Sequence, residues 1–87
     1  MLRDEQIDKF ESNKDFKVED LVNIECLYIS HNFLSDLDGV SMLNTLIELN
    51  LNYNKIVDVT PLEELHLLER LYLSNNKITV IDPLRKL

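Results

Sequence analysis

The stretch LYLSNNKI at residues 71–78 decides the fold, because close copies of it read LNLNYNKI at 49–56 and LYISHNFL at 27–34. Each copy begins 22 residues after the one before it. The aliphatic letters and one asparagine recur in every copy, whereas the letters between them vary. A phrase that recurs with this period predicts a solenoid, in which similar supersecondary units stack on one another.

The fixed positions extend beyond the quoted phrase. If each repeat is numbered from 1, starting at residues 24, 46 and 68, positions 1, 4, 6, 11, 14, 17 and 20 are apolar in every copy. Such a pattern marks the side chains that face the core of each coil. Position 9 is also fixed, as Asn32, Asn54 and Asn76.

The spacing within one repeat predicts a short strand, a turn and a helical return. Positions 4 and 6 are two apart, so their side chains share the inward face of a strand, and positions 3, 5 and 7 face solvent. The asparagine at position 9 ends the strand, and its amide can bond the backbone of the bend and of neighbouring coils. Positions 11, 14, 17 and 20 recur every three residues, as on one stripe of a 3₁₀ or loosely helical segment.

Capping signals stand at the start of the return segment. Thr60 precedes Pro61 and Asp82 precedes Pro83, which predicts an N-cap followed by the first helical residue. Thr60 and Glu63 also fit a capping box. We therefore expect parallel strands stacked on a concave side and short helices on the convex side.

The pattern LxxLxLxxNxIxxIxxLxxLxx resembles the 22-residue class of leucine-rich repeat. It is similar to repeats of a protein phosphatase 1 regulatory subunit, an axonemal dynein light chain, tubulin-folding cofactors and bacterial internalins. The resemblance covers residues 24–87. It implies an α/β repeat fold, namely a short right-handed solenoid with a parallel concave sheet and a convex side of short helices or 3₁₀ turns. It also implies binding through the concave face.

One domain is expected, with a helical cap and half repeat at 1–23 followed by three repeats at 24–45, 46–67 and 68–87. No capping segment follows Leu87, which is position 20 of the third repeat. Because a solenoid needs covered ends for solubility, three interpretations stay open. The chain is a fragment of a longer protein, or its C-terminal edge pairs with itself or a partner, or residues 82–87 fold over as a minimal cap.

The N-terminal segment is expected to cover the first coil. Leu2, Ile7 and Phe10 fall on one arc of a helix over residues 2–11, which would place them against the repeats. Phe16 is expected to help to close that end.

Charge and cysteine content limit the classes of partner and location. The chain has 87 residues, of which 16 are acidic and 9 basic, for a formal charge of −7. No basic patch that could track phosphates is visible in the sequence, which argues against nucleic acid and anionic membranes as partners. The single cysteine, Cys26, allows no internal disulfide. With no signal peptide or long apolar run, these features indicate a cytoplasmic location, with the cytoskeleton, cilium or nucleus open.

The variable, solvent-facing positions form the predicted binding surface. Strand spacing of about 4.8 Å places Tyr28 and Tyr72 on either side of Asn50. Tyrosine and arginine are enriched at binding hot spots. High β propensity and a cross-strand salt bridge between Glu48 and Arg70 explain the same residues without a ligand. The acidic balance favours a protein partner with a basic patch. The predicted site comprises Tyr28, Glu48, Asn50, Tyr53, Arg70 and Tyr72.

No catalytic site, metal site or cofactor is expected. Cys26 lies on the concave strand, His31 at the bend and His66 on the far side of the coil. No third ligand converges on them, and no nucleophile, base and orienting group come together. The lone Gly39 excludes a glycine-rich phosphate loop.

Three functions stay open from the sequence. The leading one is a protein-interaction module, a scaffold or adaptor that uses the concave face. The second is a structural unit that self-assembles through its C-terminal edge. The third, a regulatory subunit of a phosphatase or a cytoskeletal motor, follows from the resemblance alone.

Overall fold

A computed structural model describes residues 9–10, 16–79, 81 and 84. In these residues three 3₁₀ turns alternate with three short strands, and each strand occupies positions 3–5 of its repeat. The predicted solenoid is confirmed. In chain order the elements are η1 (Val18–Leu21), β1 (Cys26–Tyr28), η2 (Val40–Met42), β2 (Glu48–Asn50), η3 (Thr60–Leu62) and β3 (Arg70–Tyr72).

The strands form one parallel sheet in the order β1-β2-β3. Its register follows the repeat, because Leu27 pairs with Leu49 and Leu49 pairs with Leu71. The backbone ladder continues past the strand ends, where the Leu51 N–H donates to the Tyr72 carbonyl at 2.8 Å. The period of the sequence therefore sets which side chains lie next to each other across the sheet.

The fixed apolar positions form one core that is most complete in the middle coil. All seven of them in the second repeat are at most 1 % exposed. In the third repeat the described ones are only partly buried, except Ile81, which is 67 % exposed. Fully burying a leucine or isoleucine contributes about 1.5–3 kcal/mol, and a coil reaches that limit only with a neighbour on each side. The apolar positions of the third repeat are therefore less completely covered than those of the second.

The asparagine at position 9 ties each coil to the one before it. The Asn54 amide donates to the carbonyls of Ile29 at 2.8 Å and Leu51 at 3.0 Å. Its Oδ1 accepts the Leu34 N–H at 3.0 Å. Asn76 makes the corresponding contacts one coil later. These bonds satisfy buried backbone groups at the point where the strand ends.

Asn32 occupies the same position in the first repeat. It is 5 % exposed, and its amide donates to the Ser30 carbonyl at 3.1 Å. The amide of each repeat therefore also closes the bend in which it lies.

The convex side consists of 3₁₀ turns closed by short-range backbone bonds. The Leu43 N–H donates to the Val40 carbonyl at 3.0 Å, and the Leu65 N–H donates to the Leu62 carbonyl at 3.1 Å. Within the part of the chain that the structure describes, no helical segment combines the length and hydrophobicity that crossing a bilayer requires.

The predicted capping box at Thr60 is wrong. Thr60 is the first residue of η3, and the N-cap position belongs to Val59, which makes no side-chain cap hydrogen bond. Aspartates instead accept the backbone N–H two residues on: Asp58 accepts the Thr60 N–H at 2.9 Å, and Asp36 accepts the Asp38 N–H at 2.8 Å. These are Asx turns, which suffice because a 3₁₀ turn is short and aspartate readily bonds the backbone two residues on.

Most of the predicted helical cap at 2–11, including Leu2 and Ile7, lies outside the described residues. At the two residues that are described the backbone is not helical. Lys9 forms a parallel bridge with Asp36, and the Phe10 N–H donates to the Asp36 carbonyl at 3.0 Å. Pairing with the first coil thus overrides the helical spacing.

Two aromatic rings cover this end of the core. Phe10 is fully buried, and its ring meets that of Phe16 edge to face with centroids 5.4 Å apart. Val18, at 3 % exposed, joins the same core. The aromatic contribution to this end, expected for Phe10 and Phe16, is therefore present without a helix at Lys9 and Phe10.

Replacing Asn54 by alanine is expected to destabilise the fold by about 3 kcal/mol or more, because each buried backbone group left unpaired costs about 1–3 kcal/mol. Asn76→Ala should cost less, since Asn76 is only partly buried. Urea unfolding followed by circular dichroism measures both. The exposed Asn44 provides a control, and Asn44→Ala should stay within about 0.5 kcal/mol of the wild type. Equal losses for Asn54→Ala and Asn44→Ala would contradict the bridging role.

Candidate functional site

The outward side of the sheet, here called the concave face, presents two rows of side chains in register. The middle residue of each strand points into the core, so its two neighbours point away from it. Five of the six residues predicted for the site lie in these rows, and Tyr53 lies outside them. The rows are Cys26, Glu48 and Arg70 at position 3, and Tyr28, Asn50 and Tyr72 at position 5.

Glu48 joins the three strands at the centre of the concave face. Its Oε2 accepts the Tyr28 hydroxyl at 2.6 Å, and its Oε1 accepts the Arg70 Nε–H at 2.9 Å. The cross-strand salt bridge considered from the sequence is therefore present. The Glu48 side chain is 17 % exposed, against 49 % for Arg70.

The same contacts set the charge states of the three groups. The Tyr28 hydroxyl, followed by Arg70, lowers the pKa of the Glu48 carboxyl below its ordinary value of 4.5. The hydrogen bond to Glu48 raises the pKa of the Tyr28 hydroxyl above 10.0. Glu48 likewise raises the pKa of the Arg70 guanidinium. The three side chains thus hold one another in their ionised or donating forms at neutral pH.

The concave face is open mainly at β3. Both Glu48 oxygens are engaged, and the Asn50 Oδ1 accepts the Asn52 N–H at 3.0 Å. Tyr72 is 40 % exposed, and the Arg70 side chain reaches solvent beside it. A ligand of this face would therefore meet Tyr72 and Arg70 first.

Tyr53 lies beyond its strand, at the turn. His31, Tyr53 and Asn75 occupy the same position of successive repeats, and each has a φ of 59°. This left-handed region suits asparagine and disfavours tyrosine. The rings of His31 and Tyr53 stack, with centroids 4.4 Å apart and planes at 11°. Tyr53, which is 50 % exposed, thus belongs to a second surface beside the concave face.

Position 10, two residues further along each repeat, adds exposed residues that the sequence analysis did not select. Phe33 is 48 % exposed, and the Lys55 Nζ lies 5.4 Å from the centroid of its ring. The sequence did indicate that these two residues are exposed, because both stand at position 10, between the buried positions 9 and 11. A phenylalanine there cannot serve the core. We call this surface the rim, and define it as positions 8 and 10: His31, Phe33, Tyr53, Lys55, Asn75 and Lys77.

The described polar groups outside the concave face and the rim form no metal site. Among the described residues, no three His, Cys, Asp or Glu side chains are arranged to hold a metal ion. Cys26 is an exposed thiol on the concave face, and His66 pairs with Glu64 at 3.4 Å on another side. In a cleft of about 310 Å³ the carboxylates of Asp36 and Asp58 accept backbone N–H groups. That cleft is lined by Ser35, Asp36, Leu37, Asp38, Asp58 and Pro61.

Two family models match the chain. The model described as Leucine Rich repeats (2 copies) matches residues 22–65, and the model described as Leucine Rich Repeat matches residues 67–87. A search of curated proteins found no match.

Removing the tyrosine hydroxyl is expected to raise the pKa of Glu48 toward 4.5. Tyr28→Phe deletes the largest cause of the lowered value and Arg70→Met the next, so both variants should raise this pKa, Tyr28→Phe more. A carbon-13 NMR titration of the carboxyl groups measures it. Asp58, whose pKa is lowered by Thr60, should not change in either variant. An unmoved Glu48 pKa in Tyr28→Phe would show that the hydroxyl does not stabilise the carboxylate.

The lowered pKa also gives a direction for stability against pH. Because the folded value lies below 4.5, the contribution of Glu48 is present above that pH and is lost as the pH falls through the folded value. The free energy of unfolding of the wild type should therefore exceed that of Glu48→Gln at neutral pH. The difference between the two free energies of unfolding should disappear as the pH falls. A difference that stays constant down to the acid transition would contradict the link between the Glu48 pKa and stability.

Proposed function

Because this chain belongs to the leucine-rich repeat family, we propose that it is a protein-interaction module that binds a partner protein across the concave face. Leucine-rich repeats commonly mediate protein–protein interaction, and such domains are typically not enzymes. The partner-binding residues we propose on this face are Tyr28, Glu48, Asn50, Arg70 and Tyr72.

The observation that carries the proposal is the separation of constant and variable positions on the two faces of the sheet. The inward residue is leucine in every strand, as Leu27, Leu49 and Leu71. The outward neighbours vary, because position 3 differs in all three strands and position 5 is tyrosine in two of them and asparagine in the third. Packing requires the inward leucines. It does not dictate the outward residues, which are therefore available for recognition, as on other surfaces that a rigid scaffold positions.

The exposed side chains are of the types that dominate protein interfaces. Tyr72 offers a large amphipathic ring, and Arg70 offers a planar guanidinium with several donors. Glu48 holds Arg70 and Tyr28 in one arrangement before any partner arrives. Such ordering removes part of the cost of immobilising side chains, about 0.5–1.5 kcal/mol each, from the binding step.

The charge of the chain supports a partner with a basic patch. The net charge is −7, and Glu25 and Glu69 are exposed just before β1 and β3. A partner whose basic patch lies against these glutamates would associate faster and in a defined orientation.

A second candidate function is self-association at the β3 edge. Leu71 and Leu73 are only partly buried, whereas Leu49 and Leu51 in the preceding repeat are fully buried. Together with the exposed Ile81, they form an apolar edge that a second copy could cover. A molecular mass that rises with concentration in light scattering would support this function, and a constant monomer mass would exclude it.

Photo-crosslinking tests the concave-face proposal. Benzoylphenylalanine in place of Tyr72 should capture a partner protein from a lysate of the source cell. The same group in place of Met42, which is 50 % exposed on the convex side, is the matched control and should capture nothing. Tyr72→Ala should then weaken binding of the captured protein about tenfold or more, as expected for a hot-spot tyrosine. Equal adducts at both positions, or none at Tyr72, would contradict the proposal.

A further inference from the structure

The rim and the residues next to it in sequence contain no acidic side chain, and the first acids after it are Asp36 and Asp58. None of the residues in 30–35, 52–57 and 74–79 is Asp or Glu, although the chain contains 16 of them. Lys55 and Lys77 lie in these segments and are exposed. Among the described residues the ion pairs involve Arg70 and His66 and neither of these lysines. The rim of this acidic protein therefore carries two positive charges that no described residue neutralises in an ion pair.

Aromatic side chains stand beside these charges in a fixed arrangement. Tyr53 is held by its stack on His31 and by the backbone turn that Asn54 closes. Phe33 exposes nearly half of its surface next to the Lys55 ammonium. Since adjacent coils are about 4.8 Å apart, Phe33, Lys55 and Lys77 follow one another along the solenoid. The rim thus combines an ordered apolar surface with a row of cations.

The net charge of the chain does not cancel this local charge. The Debye length at physiological ionic strength is about 8 Å, so distant exposed charges are largely screened. The acids Glu25 and Glu69 lie just before β1 and β3, at the N-terminal ends of the strands, whereas the rim lies beyond their C-terminal ends. A segment that touches the rim therefore interacts more strongly with Lys55 and Lys77 than with the acids at the N-terminal ends of the strands.

We propose that the rim binds an acidic segment of the partner protein, in which one or two carboxylates contact Lys55 and Lys77 and an aromatic or aliphatic side chain packs on Phe33 and Tyr53. This inference rests on the proposed function, and it names the chemistry of the partner. Glu25 and Glu69, at the N-terminal ends of the strands, would face a basic patch of the same partner. Together, the acidic contact at the rim and the basic contact at the other end fix the direction in which the partner crosses the concave face.

An acidic peptide fits the rim better than a nucleic acid does. Two lysines can neutralise one or two carboxylates, whereas a strand of phosphates continues beyond them toward the acids of the chain. Nucleic-acid surfaces need a longer cationic track. The stacked rings nevertheless make a single strand the relevant alternative for the test.

Selection from random peptides displayed on phage tests the inference with the full chain. Wild-type protein should select peptides rich in Asp and Glu that contain an aromatic or aliphatic residue. One selected peptide, made synthetically, should lose affinity roughly tenfold or more for the variant Lys55→Glu/Lys77→Glu. Lys17→Glu makes one such charge change at an exposed position next to η1, and should bind within about twofold of the wild type.

A second pair of variants tests the apolar contact. Phe33→Ala should weaken binding of the selected peptide. Met42→Ala removes an equally exposed side chain from the convex side and should leave this binding unchanged. Tyr53→Asn removes the ring and keeps a residue suited to the left-handed turn, as Asn75 shows. Circular dichroism confirms that each variant is folded.

The outcomes separate this inference from the proposed function. Selected peptides that are neutral or basic, or acidic peptides that bind the rim variant equally well, would overturn the rim inference. If such peptides bind the Tyr72→Ala variant more weakly than the wild type, the concave-face function stands. If the protein selects no peptide through either surface, both the rim inference and the concave-face function are overturned. Binding of an oligothymidine strand at the rim in place of acidic peptides would also overturn the inference.

Discussion

The structure depends on one hydrogen-bonding constraint: a strand that ends inside the core must leave no backbone group unpaired. Asn54 meets this constraint with a single side chain, because its amide reaches carbonyls of its own coil and of the coil before it while its Oδ1 accepts the Leu34 N–H. An apolar residue there would leave these groups without partners, at about 1–3 kcal/mol each. The strands can therefore be as short as three residues, and the chain can turn at once toward the convex side.

The turn that this asparagine closes also creates the rim. The residue just before it adopts a φ of 59° in every repeat, which sends its side chain out of the sheet. A tyrosine at such a position is disfavoured by roughly 1 kcal/mol, so packing of the turn does not explain its presence. Tyr53 gains a stacking contact with His31, worth about 0.5–1.5 kcal/mol in favourable settings. The rim thus consists of side chains that the scaffold positions and does not itself require.

The sequence predicted the fold and the register because both follow from its period. Tyr28, Asn50 and Tyr72 lie side by side because they are 22 residues apart and the strands are parallel. The network around Glu48 was only partly predictable, since the period places Arg70 next to it but the choice of Tyr28 as the second partner depends on side-chain rotamers. Thr60 was assigned the wrong role because an Asx turn and a capping box share the same residue types. Pairing with Asp36, distant in sequence, overrode the helical spacing at Phe10.

Net charge does not describe how charge is distributed over this protein, because the charges are segregated by the same repeat that builds the core. Acids recur before the strands and in the turns of the convex side, where Asp36 and Asp58 accept backbone N–H groups. Positions 8 and 10 take no part in capping, so no structural requirement brings acids there, and Lys55 and Lys77 remain without counter-ions among the described residues. The sheet therefore has exposed glutamates just before two of its strands and exposed lysines beyond the ends of two of them. A scaffold whose backbone repeats itself thus presents opposite charges at the two ends of its strands.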